Sequence, residues 1–114
     1  IASSHLRSLV ARHEMQGAAL ALTLRRVAEE SPATGPSAAS SVLKAIAARH
    51  NQDKHELMLE IMGQAALGWE GAPFDGEELD ICRHWLRTKA NSIEGGTSEI
   101  QYNIVARQVL GLPD

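Results

Sequence analysis

The residues best suited to chemistry stand together in Ile93-Glu94-Gly95-Gly96-Thr97-Ser98-Glu99-Ile100-Gln101. Two glycines directly before a helix start let the backbone turn sharply and approach a ligand closely. The N–H groups of Thr97 to Glu99 then lack partners in a preceding turn, and the helix dipole favours an anion or a polarised oxygen beside them. Thr97 and Ser98 add hydroxyls. From residue types alone, the commoner use of such a stretch is a plain helix-to-helix turn, with glycine for sterics and serine for capping.

Other chemistries lack their residues. A carboxylate di-metal site in a bundle uses Glu-x-x-His on its helices, and no histidine here has a glutamate three residues before it. His-Glu-x-x-His is also absent, and Asp80 with His84 makes one pair rather than a site. No metal centre is expected. His13 and His50 fall on apolar faces and read as hydrogen-bonded core residues. Cys82 sits mid-helix and reads as a small hydrophobe. No Gly-x-Ser-x-Gly elbow, phosphate loop or Gly-x-Gly-x-x-Gly occurs.

The elements that must position the glycine pair are helices. Leu6, Val10, His13, Gly17, Leu20, Leu24 and Val27 recur at alternating spacings of three and four, one face of a helix from the Ser3-Ser4 cap to about Glu30. Pro32, Gly35 and Pro36 mark a connector over 31–37. A second helix is predicted from about Ser37 to Leu67, burying Ala39, Leu43, Ile46, His50, Leu57, Ile61 and Ala65. The cluster Asn51-Gln52-Asp53-Lys54-His55 interrupts that face. A third helix starts at Asp75 with a capping box to Glu78 and ends near Asn91. The fourth starts at Thr97 or Ser98, with Ser98-x-x-Gln101 as a capping box and Ile100, Ile104 and Val109 as its apolar face. Gly111-Leu112-Pro113 reads as a glycine cap and helix stop. An all-α, up-and-down bundle of four helices follows.

Composition agrees. Of 114 residues, 44% are hydrophobic but only 4% aromatic, which suits helices better than sheets. The net charge of −3 lacks the basic footprint that nucleic acid or an anionic membrane surface requires. No apolar run approaches the roughly 20 residues of a membrane helix. Cys82 is the only cysteine, so a reducing, cytoplasmic setting is expected. The chain opens on Ile1 and reads as a piece of something longer.

IEGGTSEIQYNIVARQVLGLP, residues 93–113, closely resembles the C-terminal signature of the acyl-CoA dehydrogenase family. Gly35-Pro36, Lys44 and Glu60-Ile61-Met62-Gly63 fit its long bundle helix more loosely. The resemblance implies that residues 1–114 are the C-terminal helical domain of an FAD-dependent enzyme, lacking that domain's first helix. Such enzymes oxidise an acyl-CoA thioester to the trans-2-enoyl-CoA, a step of fatty acid β-oxidation type, and assemble as dimers or tetramers. By similarity, Thr97 and Glu99 would touch FAD, and the backbone of Gly95 and Gly96 would face the flavin and the substrate thioester. One branch of the family places its catalytic base two residues before the threonine. That position is Gly95 here, which leaves Glu94, one residue earlier, as the candidate base in this chain; other branches place the base on an earlier helix. Glu60 stands where the family often has a glutamine, and Tyr102 where an arginine is common. A non-catalytic member of such an assembly, or a related flavin oxidase or monooxygenase, are the alternative readings. With the first helix missing, the seam around Leu6, Val10, Leu20 and Leu24 is expected to be partly uncovered, and self-association to follow.

Overall fold

The computed structural model describes residues 3–30 and 39–113. Within them lie four α-helices and no strand: α1 (Ser4–Glu30), α2 (Ala39–Met62), α3 (Gly76–Thr88) and α4 (Ser98–Ile104). The all-α, four-helix expectation holds. The expected connector over 31–37 and the start of the second helix at Ser37 lie outside the described residues.

Local signals explain most boundaries. Ser3 Oγ accepts from Leu6 N–H at 3.3 Å, which caps α1. Asp75 accepts from Glu78 N–H at 2.9 Å while Glu78 accepts from Asp75 N–H at 3.0 Å, the reciprocal box expected at the start of α3. The second helix is shorter than predicted. Its α-helical part stops at Met62, because Gly63 turns left-handed at φ 61°, and 63–67 continue as a 3-10 turn. The third likewise ends at Thr88 and tightens into a 3-10 turn over 89–92.

At α4 the cap is Thr97, whose hydroxyl accepts from Ile100 N–H at 3.4 Å. The predicted Ser98–Gln101 box does not form, because the Gln101 side chain is drawn back into the turn before the helix. Residues Val105–Val109 then widen into a π-helix, with Leu110 N–H donating to Val105 C=O. Gly111 closes the element at φ 64°.

The second helix is the hub. It packs α1 on one flank and α3 with α4 on the other. Leu43, His50 and Leu57 are buried or half-buried as expected, but Ile46 and Ile61 are exposed. A second stripe, Ser41, Ala45, Ala48 and Gln52, is buried throughout. Small side chains there let neighbouring backbones come close, and Gln52 finds partners at the end of α3 and in the 3-10 turn after it.

Along α1 the expected seam of Leu6, Val10 and Leu20 is half-buried, with Leu24 47% exposed. The apolar residues most open to solvent lie on another face, Met15 at 73% and Leu22 at 68%. The uncovered surface is therefore rotated from the one expected. One face supports α1 on α2, and the one on the opposite side of the helix, with Met15 and Leu22, is left over.

Candidate functional site

The turn over 93–97 links the 3-10 end of α3 to α4, and it is held from three sides. Gly95 and Gly96 are both left-handed, at φ 67° and 94°. That conformation costs an L-residue roughly 1–2 kcal/mol, so the pair supplies the only residue type that enters it freely. Lys44, reaching from α2, donates Nζ to the Gly96 carbonyl at 2.5 Å. Gln101, buried on α4, donates Nε2 to the Gly95 carbonyl at 3.1 Å. Both glycine carbonyls are thus fixed by side chains from different helices. Among the described residues, no backbone group accepts from the N–H of Gly95, Gly96 or Thr97.

The two glycines differ in their surroundings. A Cβ on Gly96 would lie 2.6 Å from Gln101 Nε2, inside contact distance of a buried group. A Cβ on Gly95 would meet nothing nearer than Lys44 Cε at 4.0 Å. One glycine closes against the protein, and the other opens outward. Beside them lies a shallow depression of 290 Å³ floored by Ala47 and Ala48 and rimmed by Lys44, Asn51, Asn91 and Glu94.

Both oxygens of Glu94 are engaged. Arg87 Nη2 and Nη1 reach Oε2 and Oε1 at 2.9 and 3.4 Å, and Asn91 Nδ2 donates to Oε1 at 2.8 Å. Arg87 and Asn91 hold this carboxyl below the ordinary 4.5. Such an arrangement weakens a base, since a general base works best with its pKa near the operating pH. For Glu99, its own backbone N–H and the Thr97 hydroxyl lower the carboxyl in the same direction.

A polar chain ties this turn to the middle of α2. Asn51 Nδ2 donates to Asn91 Oδ1 at 2.8 Å, and Asn91 in turn donates to Glu94. Gln52 Nε2 donates to Thr88 C=O at 3.1 Å and to Ser92 Oγ at 3.2 Å, joining both the end of α3 and its 3-10 extension. Sequence reasoning singled out Glu94, Gly95, Gly96, Thr97 and Glu99, which lie along the turn and in the first turn of α4. It missed Asn51, Gln52, Asn91 and the true role of Gln101. The signal was present: a polar run in the middle of a long helix that must pack on two flanks, where buried polar groups require partners.

The donor set suits a large polar ligand at the turn. The N–H groups of Gly96 and Thr97, without a backbone acceptor, and the open side of Gly95 leave donors for an oxygen acceptor there. At the far end of α2, Glu60 is an exposed carboxylate with His5 Nε2 at 3.7 Å. No group of three His, Cys, Asp or Glu side chains able to hold a metal comes together among the described residues.

The family model for the acyl-CoA dehydrogenase C-terminal domain matches residues 1–110. Acyl-CoA dehydrogenase IpdE1 of Mycobacterium tuberculosis is 36% identical over 84 residues, 74% of this chain and 21% of that protein. IpdE1 of Mycolicibacterium smegmatis is 37% identical over 73 residues, 64% of this chain and 18% of that protein. Acyl-CoA dehydrogenase FadE34 of Mycobacterium tuberculosis is 34% identical over 94 residues, covering 82% and 12%. The chain therefore spans about a fifth or less of the length of these relatives. No solved structure matches.

Proposed function

This chain belongs to the acyl-CoA dehydrogenase family, as its C-terminal domain, and we propose that it supplies the glycine turn of a flavin-dependent active site that oxidises an acyl-CoA to the trans-2-enoyl-CoA. The observation that carries this reading is the turn itself: two left-handed glycines with both carbonyls pinned and the N–H groups of Gly96 and Thr97 unpaired. Bound FAD supplies the hydride acceptor. The chain's own part is to hold the thioester carbonyl with backbone N–H groups, which draws electron density from the α carbon and makes its proton easier to remove. Fixed donors of this kind are the largest single contribution in many acyl-transfer and enolising enzymes.

Glu94 serves this turn as a strut. With both oxygens bound by Arg87 and Asn91, its value lies in holding residues 91–95 in place, and the proton is taken by a carboxylate supplied from elsewhere in the whole enzyme. Glu94→Gln should therefore leave turnover near normal, whereas a base would lose several orders of magnitude. A second reading, a non-catalytic member of such an assembly, draws on the same occupied carboxylate. The two separate on one measurement. The purified whole protein should be yellow, with flavin absorbance that decays on addition of an acyl-CoA; a yellow protein that no acyl-CoA bleaches favours the second.

Taken alone, residues 1–114 should bind FAD weakly and show no turnover. A few polar contacts do not offset the several kcal/mol of translational and rotational freedom lost on binding. The leftover apolar stripe of α1, with Met15 and Leu22, supports assembly as a homo-oligomer, dimer or tetramer. No described helix is long and apolar enough to cross a membrane, and the single cysteine supports a cytoplasmic setting.

A further inference from the structure

We propose that Lys44 and Gln101 are positioning residues that set the orientation of the two glycine peptides and thereby aim the N–H groups of Thr97 and Gly96. The inference rests on the reading above, in which those N–H groups meet a thioester carbonyl. It assigns that alignment to two side chains that need not touch the ligand at all.

Geometry carries it. In a planar trans peptide, the C=O of one residue and the N–H of the next point to opposite sides. Lys44 Nζ holds the Gly96 oxygen, so the Thr97 N–H is directed away from Lys44. Gln101 Nε2 holds the Gly95 oxygen, so the Gly96 N–H is directed away from Gln101. Glycine peptides rotate through a wider range than any others, and each N–H would swing with its plane if the carbonyl were free. The two anchors come from different elements. Lys44 stands on α2, the hub of the fold, and its charged donor makes a strong hydrogen bond. Gln101 is 7% exposed and is kept close by Gly96, where a Cβ would collide with its amide. Removing either anchor therefore frees one plane and leaves the other held.

The test uses the whole enzyme with its glycines labelled with 13C at the carbonyl, as Lys44→Met, Lys44→Arg and Gln101→Leu variants. For Lys44→Met we expect a shifted glycine carbonyl resonance, flavin retained, and KM within about twofold. Turnover should fall about tenfold, less than the hundredfold or more that follows loss of an oxyanion donor itself. The infrared stretch of a bound trans-2-enoyl-CoA carbonyl should move back toward its free value, and Lys44→Arg should restore much of both. Gln101→Leu should repeat the pattern through the Gly95 carbonyl. A Lys44→Met enzyme whose glycine resonance moves while kcat and the carbonyl stretch stay unchanged overturns the inference and leaves the proposed function standing. Loss of flavin with a lowered melting temperature, not restored by arginine, marks Lys44 as merely structural and also overturns it. A wild-type protein that is colourless removes the proposed function first, and the inference with it.

Discussion

The two flanks of α2 hold their neighbours by different chemistry. Toward α1 the contact is apolar, with Leu43 buried and Leu20 half-buried, interrupted by His13 stacked on His50 at 3.9 Å between ring centroids. A groove of 440 Å³ remains there, lined by Leu20, Leu43, Ile46 and, from α4, Tyr102. Toward α3 and α4 the contact is directional: Lys44, Asn51 and Gln52 each place a donor on a named acceptor. Hydrophobic burial is non-directional and leaves a helix free to slide, whereas a buried hydrogen bond is lost within a few tenths of an ångström. Directional bonds stand where the glycine turn has to be placed.

If that contrast is right, substitutions on the polar flank should cost more than their size suggests. The largest effect is expected at Gly96→Ala, which combines a left-handed residue with a collision against buried Gln101. It should destabilise the chain by about 2–3 kcal/mol in urea denaturation. Gly95→Ala keeps the conformational cost and lacks the collision, so about 1 kcal/mol is expected. Equal losses at the two positions would mean that Gln101 moves aside easily. Next comes Gln52→Leu, which takes the side-chain donor from the Thr88 carbonyl and from the Ser92 oxygen and should cost about 1–3 kcal/mol by the same measurement.

The histidine stack gives the apolar flank its own signature. Burial first, and then the neighbouring His50, lower the His13 pKa below 6.5. A group whose pKa is lowered on folding contributes stability that is complete above its unfolded value and fades as pH falls below it. Stability should therefore drop as pH falls below 6.5, and His13→Gln should flatten that stretch of the curve. Glu94 and Glu56, both lowered from 4.5, act in a more acid window: their contribution is present above 4.5 and is lost below it. Melting curves at pH 7.5, 5.5 and 3.5 separate the two flanks. The smallest effect on folding is expected at Met15→Lys, within about 0.5 kcal/mol because the residue is exposed. The same change should abolish self-association in sedimentation, and a monomeric wild type would remove the case for that surface.

The contrast also explains what was legible in the sequence. Apolar periodicity located α1 and the flank of α2 that meets it, and capping residues located the starts of α1 and α3. The glycine pair and its threonine were visible because their types are unusual side by side. Ser41, Ala45, Ala48 and Gln52 were not, since small and polar residues at helical spacing look like a solvated face. Only the presence of α3 and α4 turns them inward. Gln101 was misplaced for a similar reason: its spacing from Ser98 fits a local cap, and the competing acceptor, the Gly95 carbonyl, exists only once the turn has formed. Local patterns reveal local bonds, and the bonds that position this site span up to 52 residues.

The widened turn at the end of α4 adds to this a matter of phase. Because Leu110 N–H reaches Val105 C=O, five residues back, the chain accommodates one residue more than an α-helix would over the same rise. One residue is about 100° of rotation. Everything after Ile104 is thereby dialled round the helix axis, and Val109, Leu110 and Leu112 arrive on the outside. A spare residue of this kind behaves like a removable link. Deleting Gln108 should let the α pattern run through to Gly111 and swing those side chains by that angle, leaving Thr97 and the turn before it untouched.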